Sequence, residues 1–255
     1  VCIAAAGRTD AGVHALGQVV HFDYDLDAEP PHVLSRLGRA PTAEDVARVL
    51  NRALTGLSQN TWLPPSVRVM GVRLAPSGDF HARTSCTGKR YVYTLQEGVG
   101  DPFTCRYRWA LGRDVRLDVE AMQRAADLLT GEHDFSAFAK RTDTRPPRKH
   151  MRLLKVERVV AGAEPSSAKC TISGFTVGAA PFTLEGEGVV TITAECDRFL
   201  QHMMRYISGT LVDVGRGKLD LSAVSALLER RSQPGALPPQ KAPARGLCLY
   251  RCFYE

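Results

Sequence analysis

The order in which strand-like and helix-like segments follow one another most constrains the fold of this chain. Strand patterns occur at seven places: 1–6, 17–22, 66–75, 89–95, 151–160, 189–194 and 247–254. They do not alternate with helices in the strict strand–helix–strand rhythm that a parallel sheet requires. We therefore expect an α+β protein with a largely antiparallel, mixed sheet.

Helix signals accompany these strand patterns. A helix is predicted over 42–57, where Thr42 and Asp45 fit a capping box and apolar residues recur at helical spacing. A second helix is predicted to begin at Asp118 and to end at Gly131. Asp118 and Gly131 are thus residue types that commonly precede and follow helices.

The C-terminal part carries two more helix patterns. The longer covers 198–214, with Gly215 in the C-cap position, and the shorter covers 222–231. Between two strand patterns, residues 161–188 are rich in Gly, Ser, Ala and Pro and predict a long hairpin connection or an insertion.

The chain of 255 residues is long enough for one large domain or two small ones. A soft boundary at 96–104 predicts an N-terminal subdomain, 1–100, and a C-terminal subdomain, 101–255, with a basic run and the long helix. Hydrophobic and charged contents of 44% and 24% are ordinary for a soluble globular protein. A net charge of +6 permits a polyanionic partner but does not require one.

The seven cysteines are scattered, and no two of them form a CxxC pair. This usage is typical of buried, reduced thiols in an intracellular protein. Cys248 and Cys252 are four apart in a strand pattern, which predicts that both lie on one face. No apolar stretch is long enough to span a membrane. The cytoplasm is the expected compartment, with a nucleus or an organelle as open alternatives because the chain begins without Met.

The segment AAAGRTDAGVHA, residues 4–15, places Asp10 in a loop bounded by Gly7 and Gly12, directly after a pattern that predicts a buried strand. An aspartate in such a loop most often stabilises a turn. A loop at the end of a buried strand is also where functional sites are often built. Arg8 could hold the carboxylate or grip a phosphate. The residues alone leave both a turn and a catalytic aspartate open.

Three other positions admit a structural and a functional interpretation. The long helix pattern carries a polar stripe of Arg198, Gln201, Arg205 and Ser208. Arg205 belongs either to a solvated face or to a buried pair with a carboxylate. His202 is expected to be packed or hydrogen-bonded rather than a ligand. In KRYVYTL, Tyr91 either packs within the sheet or offers a ring on which an unstacked base can lie.

Residues 140–155 form a strongly basic run. Its six cations are Arg141, Arg145, Arg148, Lys149, Arg152 and Lys155, with only Asp143 opposing them. Such a run is usually a solvated face, but two prolines would keep it extended and suited to a row of phosphates. The seven histidines are isolated, without HxxxH or HExxH spacing, and neither a P-loop nor a GxGxxG motif occurs. We expect neither a metal nor a cofactor.

Four blocks of the chain, in this order, resemble the tRNA pseudouridine synthase A (TruA) family. They are GRTDAGVHALGQVVHF at 7–22, FHARTSCTGKRYVYTL at 80–95, GEHDFSAF at 131–138 and FLQHMMRYISGTLVDVGRGKL at 199–219. Together they span nearly the whole chain. The DAGVHA form of the first block is similar to the bacterial-type branch of the family.

The resemblance implies roles for individual residues. Asp10 matches the family's essential aspartate, Arg205 the basic residue that pairs with it, and Tyr91 the tyrosine that stacks on the flipped uracil. Arg8 matches the arginine that draws the target base out of the stem, and Arg83 of FHAR is a further expected RNA contact. The other expected RNA contacts are Lys89, Arg90, Arg141, Arg145, Arg148 and Lys149.

The resemblance also implies a fold, a partner and an activity. The fold is the pseudouridine synthase fold, with two α/β subdomains around a central RNA-binding cleft. The activity is isomerisation of uridines 38, 39 and 40 in the anticodon arm of tRNA by a homodimer that needs no cofactor. A non-catalytic RNA-binding or tRNA-chaperone protein on this scaffold, and an aspartate-based hydrolase of small molecules, are the alternatives.

Two features depart from the family pattern. The family begins with a strand and a helix ahead of the first block, and this chain does not contain them, so we expect an exposed sheet edge in the N-terminal half. Residues 161–188 form a longer stretch than the family's usual hairpin, and we expect an exposed excursion there.

Overall fold

The computed structural model describes residues 2–23, 41–59, 66–159, 170–172, 175–177, 187–229 and 239–254. The strands are β1 (Ile3–Ala5), β2 (His14–Ala15), β3 (Val20–Phe22), β4 (Gly88–Gln96), β5 (Trp109–Ala110), β6 (Gly131–Asp134), β7 (Arg148–Arg158), β8 (Cys170–Ile172), β9 (Phe175–Val177), β10 (Val189–Cys196) and β11 (Leu247–Phe253). The helices are α1 (Ala43–Gln59), α2 (Val119–Leu129), α3 (Met203–Gly215) and α4 (Leu221–Leu228). The predicted α+β class is confirmed.

A seven-stranded sheet forms the centre of the fold, in the order β2–β11–β4–β10–β7–β6, with β5 paired to β4. The pairs β11–β4, β4–β10, β10–β7 and β7–β6 are antiparallel, whereas β2–β11 and β4–β5 are parallel. The predicted mixed, largely antiparallel sheet is therefore confirmed. The sheet draws strands from both 1–100 and 101–255, and the division into two subdomains stays a prediction.

Strand β4 lies inside the sheet and is largely buried on both faces. Tyr91, Tyr93 and Leu95 pack into the main core on one face, and Val92 packs with Tyr250 on the other. Burying a large apolar side chain completely contributes roughly 1.5–3 kcal/mol, so this strand holds the two layers together. The position of β4 in the sheet therefore fixes the positions of the loops that adjoin it.

Two helix starts follow their sequence signals. At α1, the Asp45 amide donates to Oγ1 of Thr42, and the Thr42 amide donates to Oδ2 of Asp45, which completes the predicted capping box. At α2, the Asp118 carboxylate accepts from the Ala121 amide at 2.8 Å. Gly131 follows this helix with φ 110°, a conformation that favours glycine.

The long helix begins later than predicted. Helix α3 starts at Met203, not at 198, because His202 takes a left-handed conformation with φ 67° that interrupts the helical path. The predicted polar stripe is therefore wrong: its first two members precede the helix, and Ser208 is buried with its hydroxyl donating to the Met204 carbonyl. The left-handed position after the helix belongs to Gly217, with φ 69°, rather than to Gly215.

The strand predicted at 66–75 is absent from the structure. Within the described residues the segment has no strand partner; instead, the Asn51 side chain donates to the Val69 carbonyl and accepts from the Val69 amide, both at 2.8 Å. The side-chain amide thus replaces the backbone partner that a strand would need. The alternating residues Val67 and Leu74 are exposed.

The first strand is present but not buried. β1 pairs with β3 in a separate two-stranded sheet, and Ile3 is exposed. Its position at the edge of a small sheet, away from the main core, explains why an apolar run is not a core strand here. Only Ala6, at its end, is buried.

The cysteine predictions are confirmed only in part. Six cysteines of the described residues are free thiols, but Cys2 and Cys105 are exposed. Cys248 and Cys252 do not share a face, because the pairing with β4 skips Tyr250 as a bulge. Cys248 lies opposite Val92, whereas Cys252 packs in the main core.

The stretch at 161–188 is a hairpin connection, since it joins the antiparallel pair β7–β10 and contains the antiparallel pair β8–β9. The rest of this stretch, and residues 230–238, lie outside the described residues. Among the helices that the structure describes, none is both long and apolar enough to cross a membrane.

Candidate active site

The loop that carries Asp10 is fixed at both ends by backbone contacts. At its start, the Ala6 amide donates to the Val19 carbonyl at 2.8 Å, and Nζ of Lys89 donates to the Ala6 carbonyl at 2.9 Å. Within it, the Val13 amide donates to the Asp10 carbonyl, which closes a turn. The predicted turn is therefore present and is made by the backbone of Asp10, so the side chain of Asp10 can contact other groups, and its catalytic role stays a prediction.

The Asp10 carboxylate faces two side chains from the start of α3. Nη1 of Arg205 donates to Oδ2 of Asp10 at 3.2 Å, and Nε2 of His202 lies 3.4 Å from the same oxygen. The exposed side-chain fractions are 24% for Asp10, 13% for Arg205 and 15% for His202. The pair is thus partly withdrawn from solvent, where opposite charges interact more strongly than at an open surface. The predicted pairing of Asp10 with Arg205 is present.

Arg205 is held by a second contact that sets its direction. Its Nε donates to the Ala242 carbonyl at 2.8 Å, and the Ala242 amide donates back to the Arg205 carbonyl at 3.0 Å. The segment at 240–242 lies directly on α3, since a Cβ at Gly209 would come within 1.8 Å of the Gln240 carbonyl oxygen. Only glycine permits this approach.

The turn before α3 is clamped by the basic run. The Asp143 carboxylate accepts from the Gln201 amide at 2.6 Å and pairs with Arg145, whose Nη1 also donates to the Phe199 carbonyl at 2.9 Å. The Arg145 guanidinium, foremost among these contacts, lowers the pKa of Asp143 well below its usual range. These contacts hold His202 in its left-handed conformation, which costs a non-glycine residue about 1–3 kcal/mol.

Tyr91 lies in the core beside this site. Its ring is buried and meets the Phe199 ring edge-on, with the ring centroids 4.8 Å apart. Burial first, and then nearby negative groups that include Asp10, raise the pKa of the Tyr91 hydroxyl, which stays protonated at neutral pH. In the sheet, Tyr91 lies opposite Leu249, whose neighbour on the other side is Ala15, shortly after the Asp10 loop.

Three of the predicted RNA contacts are exposed cations. Arg8, Arg83 and Arg141 have exposed side chains, and in the described ranges none of them forms an ion pair. The positive charges of Arg83 and of Arg198, also exposed, reach Lys89 beneath the Asp10 loop and contribute to lowering its pKa, of which burial is the first cause. Arg8 lies on the Asp10 loop itself, and we refer to Arg8, Arg83 and Arg141 as the rim arginines.

The other predicted RNA contacts have partners within the protein. Arg90 pairs with Glu195, and Arg148 pairs with Glu132 at 3.1 Å. Arg145 clamps the turn before α3, and Lys149 is buried in β7. Lys89 reaches the Ala6 carbonyl instead of the surface. Because their side chains are held by these partners or buried within the protein, these five cations are less available to bind phosphate than the rim arginines.

Two residues that lie at the site were not predicted as site residues, although His202 was expected to be packed or hydrogen-bonded. Phe199, which covers Tyr91, and His202, which faces Asp10, both lie in the FLQHMMR block. Their place in a block with Arg205 was the available signal. In the part of the chain that the structure describes, no three His, Cys, Asp or Glu side chains cluster as metal ligands would.

Residues 125–255 match the family model described as tRNA pseudouridine synthase. The whole chain is 38% identical to the tRNA pseudouridine synthase A of Solidesulfovibrio magneticus, of which it covers 76%. Over 98% of its length it is 36% and 37% identical to the proteins of the same name from Nitratidesulfovibrio vulgaris and Moorella thermoacetica, covering 81% and 80% of them.

The chain belongs to the tRNA pseudouridine synthase family. Pseudouridine synthases are isomerases, and this chain is an enzyme of that class. The family resemblance of the four sequence blocks is confirmed.

Proposed function

We propose that this protein isomerises uridine to pseudouridine in the anticodon stem-loop of tRNA, at positions 38, 39 and 40, as an intracellular homodimer. The observation that carries the proposal is the Asp10–Arg205 pair, whose atoms Oδ2 and Nη1 are 3.2 Å apart in a partly buried site. The family to which the chain belongs, and the relatives named tRNA pseudouridine synthase A, support the reaction and the substrate class.

The reaction rearranges the nucleotide without a redox change or a group donor. The C1′–N1 bond breaks, the uracil turns, and a C5–C1′ bond forms; C5 then loses its hydrogen as a proton and N1 takes up a proton, so the composition is unchanged. The Asp10 carboxylate serves either by attacking C1′ or by removing the 2′ hydrogen to give a glycal. In both routes Arg205 holds the carboxylate in place, and no cofactor is needed.

A base inside a stem must leave the stack before it can react. Arg8 on the Asp10 loop is exposed and placed to enter the vacated position, and Arg83 adds positive charge for the flanking phosphates. Tyr91 supplies the ring against which the turned uracil packs once Phe199 gives way. These assignments extend the family pattern to this chain residue by residue.

Asp10→Asn tests the reaction. With tRNA tritiated at C5 of uridine, wild type is expected to release tritium, whereas Asp10→Asn releases none yet binds tRNA with unchanged affinity. Asp114→Asn, which changes an exposed carboxylate away from the site, is the matched control and keeps wild-type activity. If wild type binds tRNA and releases no tritium, the non-catalytic RNA-binding alternative holds instead.

Three measurements test the modified positions, the substrate class and the oligomeric state. Mapping pseudouridine in tRNA from a strain that lacks this protein should show loss at positions 38, 39 and 40; loss elsewhere with these intact contradicts the assignment. Salt-dependent tRNA binding excludes the small-molecule hydrolase. Light scattering during gel filtration decides the homodimer.

A further inference from the structure

The two contacts on the Asp10 side chain fall on one oxygen. Arg205 reaches Oδ2 from Nη1 at 3.2 Å, and His202 reaches the same Oδ2 from Nε2 at 3.4 Å. Among the described residues, neither a hydrogen bond nor an ion pair reaches Oδ1. In the part of the chain that the structure describes, the carboxylate is therefore held through Oδ2 only.

His202 adopts an unusual state to make this contact. Among the described residues it is the one non-glycine residue with a positive φ, and its Nδ1 is buried without a hydrogen-bond partner. Glycine or asparagine would fit the same backbone with less strain. Strained backbone of this kind concentrates at functional sites. The strained backbone and the buried Nδ1 atom without a hydrogen-bond partner together favour a role for the imidazole ring that is more than structural.

We propose that His202 is a positioning residue for the reaction: with Arg205 it holds Oδ2 of Asp10 and leaves Oδ1 as the oxygen that meets the target ribose. The proposal rests on the proposed function, which supplies the ribose. It assigns His202 no contact with the substrate. It also gives a reason why α3 begins with a histidine in a left-handed turn.

The surroundings of His202 decide its protonation. Burial, first of all, lowers its pKa, and the cations Lys241, Arg205 and Lys140 act in the same direction, whereas Asp10 raises it. The ring of Tyr206, 6.3 Å away between centroids, adds no charge. The ring is therefore neutral at pH 7. Because Nδ1 has no acceptor to donate to, the hydrogen belongs on Nε2, facing the carboxylate.

Two variants separate the ring from the turn. His202→Gln and His202→Met place the same strain on the left-handed backbone and have the same side-chain length, but only glutamine offers an N–H at the position of the imidazole Nε2. In single-turnover assays we expect His202→Gln to stay near the wild-type rate and His202→Met to fall about tenfold or more, while the Kd for tRNA stays unchanged in both. Equal rates for the two variants, or a loss confined to tRNA binding, would overturn the proposal.

A second measurement does not depend on activity. In protein labelled with ¹⁵N histidine, His202 is expected to show the Nε2–H neutral form at pH 7. Asp10→Asn should lower the pKa of His202, because it removes the negative charge that raises it. An unchanged titration means that His202 does not sense Asp10, and the proposal then fails. If wild type instead makes no pseudouridine while this coupling is present, the proposed function fails and the contact stands.

Discussion

Arg205 and Asp10 are 195 residues apart in the sequence, yet they form a direct contact of 3.2 Å between Nη1 and Oδ2. The contact arises because β2, just after the Asp10 loop, pairs in parallel with β11, which places His14 opposite Cys248. This pairing brings the loop against the segment that follows Ala242, on which Arg205 is also anchored. The site is therefore assembled by sheet pairing between the two ends of the chain.

Replacing Arg205 by lysine keeps the charge but removes the planar fork that reaches both Asp10 and the Ala242 carbonyl. We expect the single-turnover rate of Arg205→Lys to fall by about 10- to 100-fold, which corresponds to roughly 1.4–2.7 kcal/mol of transition-state stabilisation. The Kd for tRNA should change little, because Arg205 is mostly buried.

Tritium release from C5-labelled tRNA under single-turnover conditions measures that rate. Arg113→Lys, at an exposed position in a loop, is the matched control and should behave as wild type. A variant at 205 that loses tRNA affinity at an unchanged rate would show that the arginine binds RNA and does not support Asp10.

The salt dependence of tRNA binding should distinguish the exposed arginines from the paired ones. Arg8→Gln and Arg83→Gln remove exposed cations, and each is expected to reduce the slope of log K against log salt by about 1. Arg90→Gln removes a cation that pairs with Glu195 and should leave the slope unchanged. Fluorescence titrations between low and moderate salt give the slopes. An equal fall for all three would mean that Arg90 also binds phosphate.

The parts of the fold that could be predicted from the sequence depend on short-range contacts. The capping box of Thr42 and Asp45 and the cap at Asp118 are set within one helical turn, and both are present. The start of α3 could not be predicted, because Asp143 holds the Gln201 amide from 58 positions away. The strand pattern at 66–75 failed for the same reason, since pairing depends on a neighbour that the local pattern does not contain.

The prediction of the site from the sequence is limited in the same way. The resemblance located Asp10, Arg205 and Tyr91, whereas the residues themselves left each of them with a structural alternative. The contact between His202 and Asp10 depends on a left-handed backbone conformation that is imposed by the neighbouring loop. The basic run adds a role that the sequence did not indicate, since Arg145, a predicted phosphate contact, also holds a turn of its own chain.

Asp143 should make stability depend on pH. The pKa of its carboxyl is lowered in the folded protein, chiefly by Arg145, and its side chain is only 5% exposed. Its contribution is therefore fully present above the unfolded pKa, at about pH 4, and is lost as the pH falls below that value. Asp143→Asn should lower the free energy of unfolding at pH 7 by about 1–2 kcal/mol, since the Arg145 partner is half exposed.

Urea denaturation at pH 7 and near pH 3 measures the difference between wild type and Asp143→Asn. The difference should shrink at the lower pH, because the carboxyl is then largely protonated in the unfolded chain while it stays ionised in the folded protein, so unfolding is favoured by proton uptake. Asp114→Asn controls for the general effect of removing a carboxylate and should change neither value. A difference that persists undiminished at low pH would mean that Asp143 stabilises the turn without its charge.

Gly209 should be difficult to replace, because it lies against the backbone of the 240–242 segment. A Cβ there would lie 1.8 Å from the Gln240 carbonyl oxygen, so Gly209→Ala must push the 240–242 segment away and loosen the carbonyl that holds Arg205. We expect a loss of about 1–3 kcal/mol in unfolding free energy together with a slower reaction. Gly56→Ala, on α1 with open space around it, should instead gain about 0.5–1 kcal/mol because alanine favours helix. Urea melts and single-turnover rates of the two variants decide the matter, since a Gly209→Ala protein as stable and as fast as wild type would rule out the close approach of that segment.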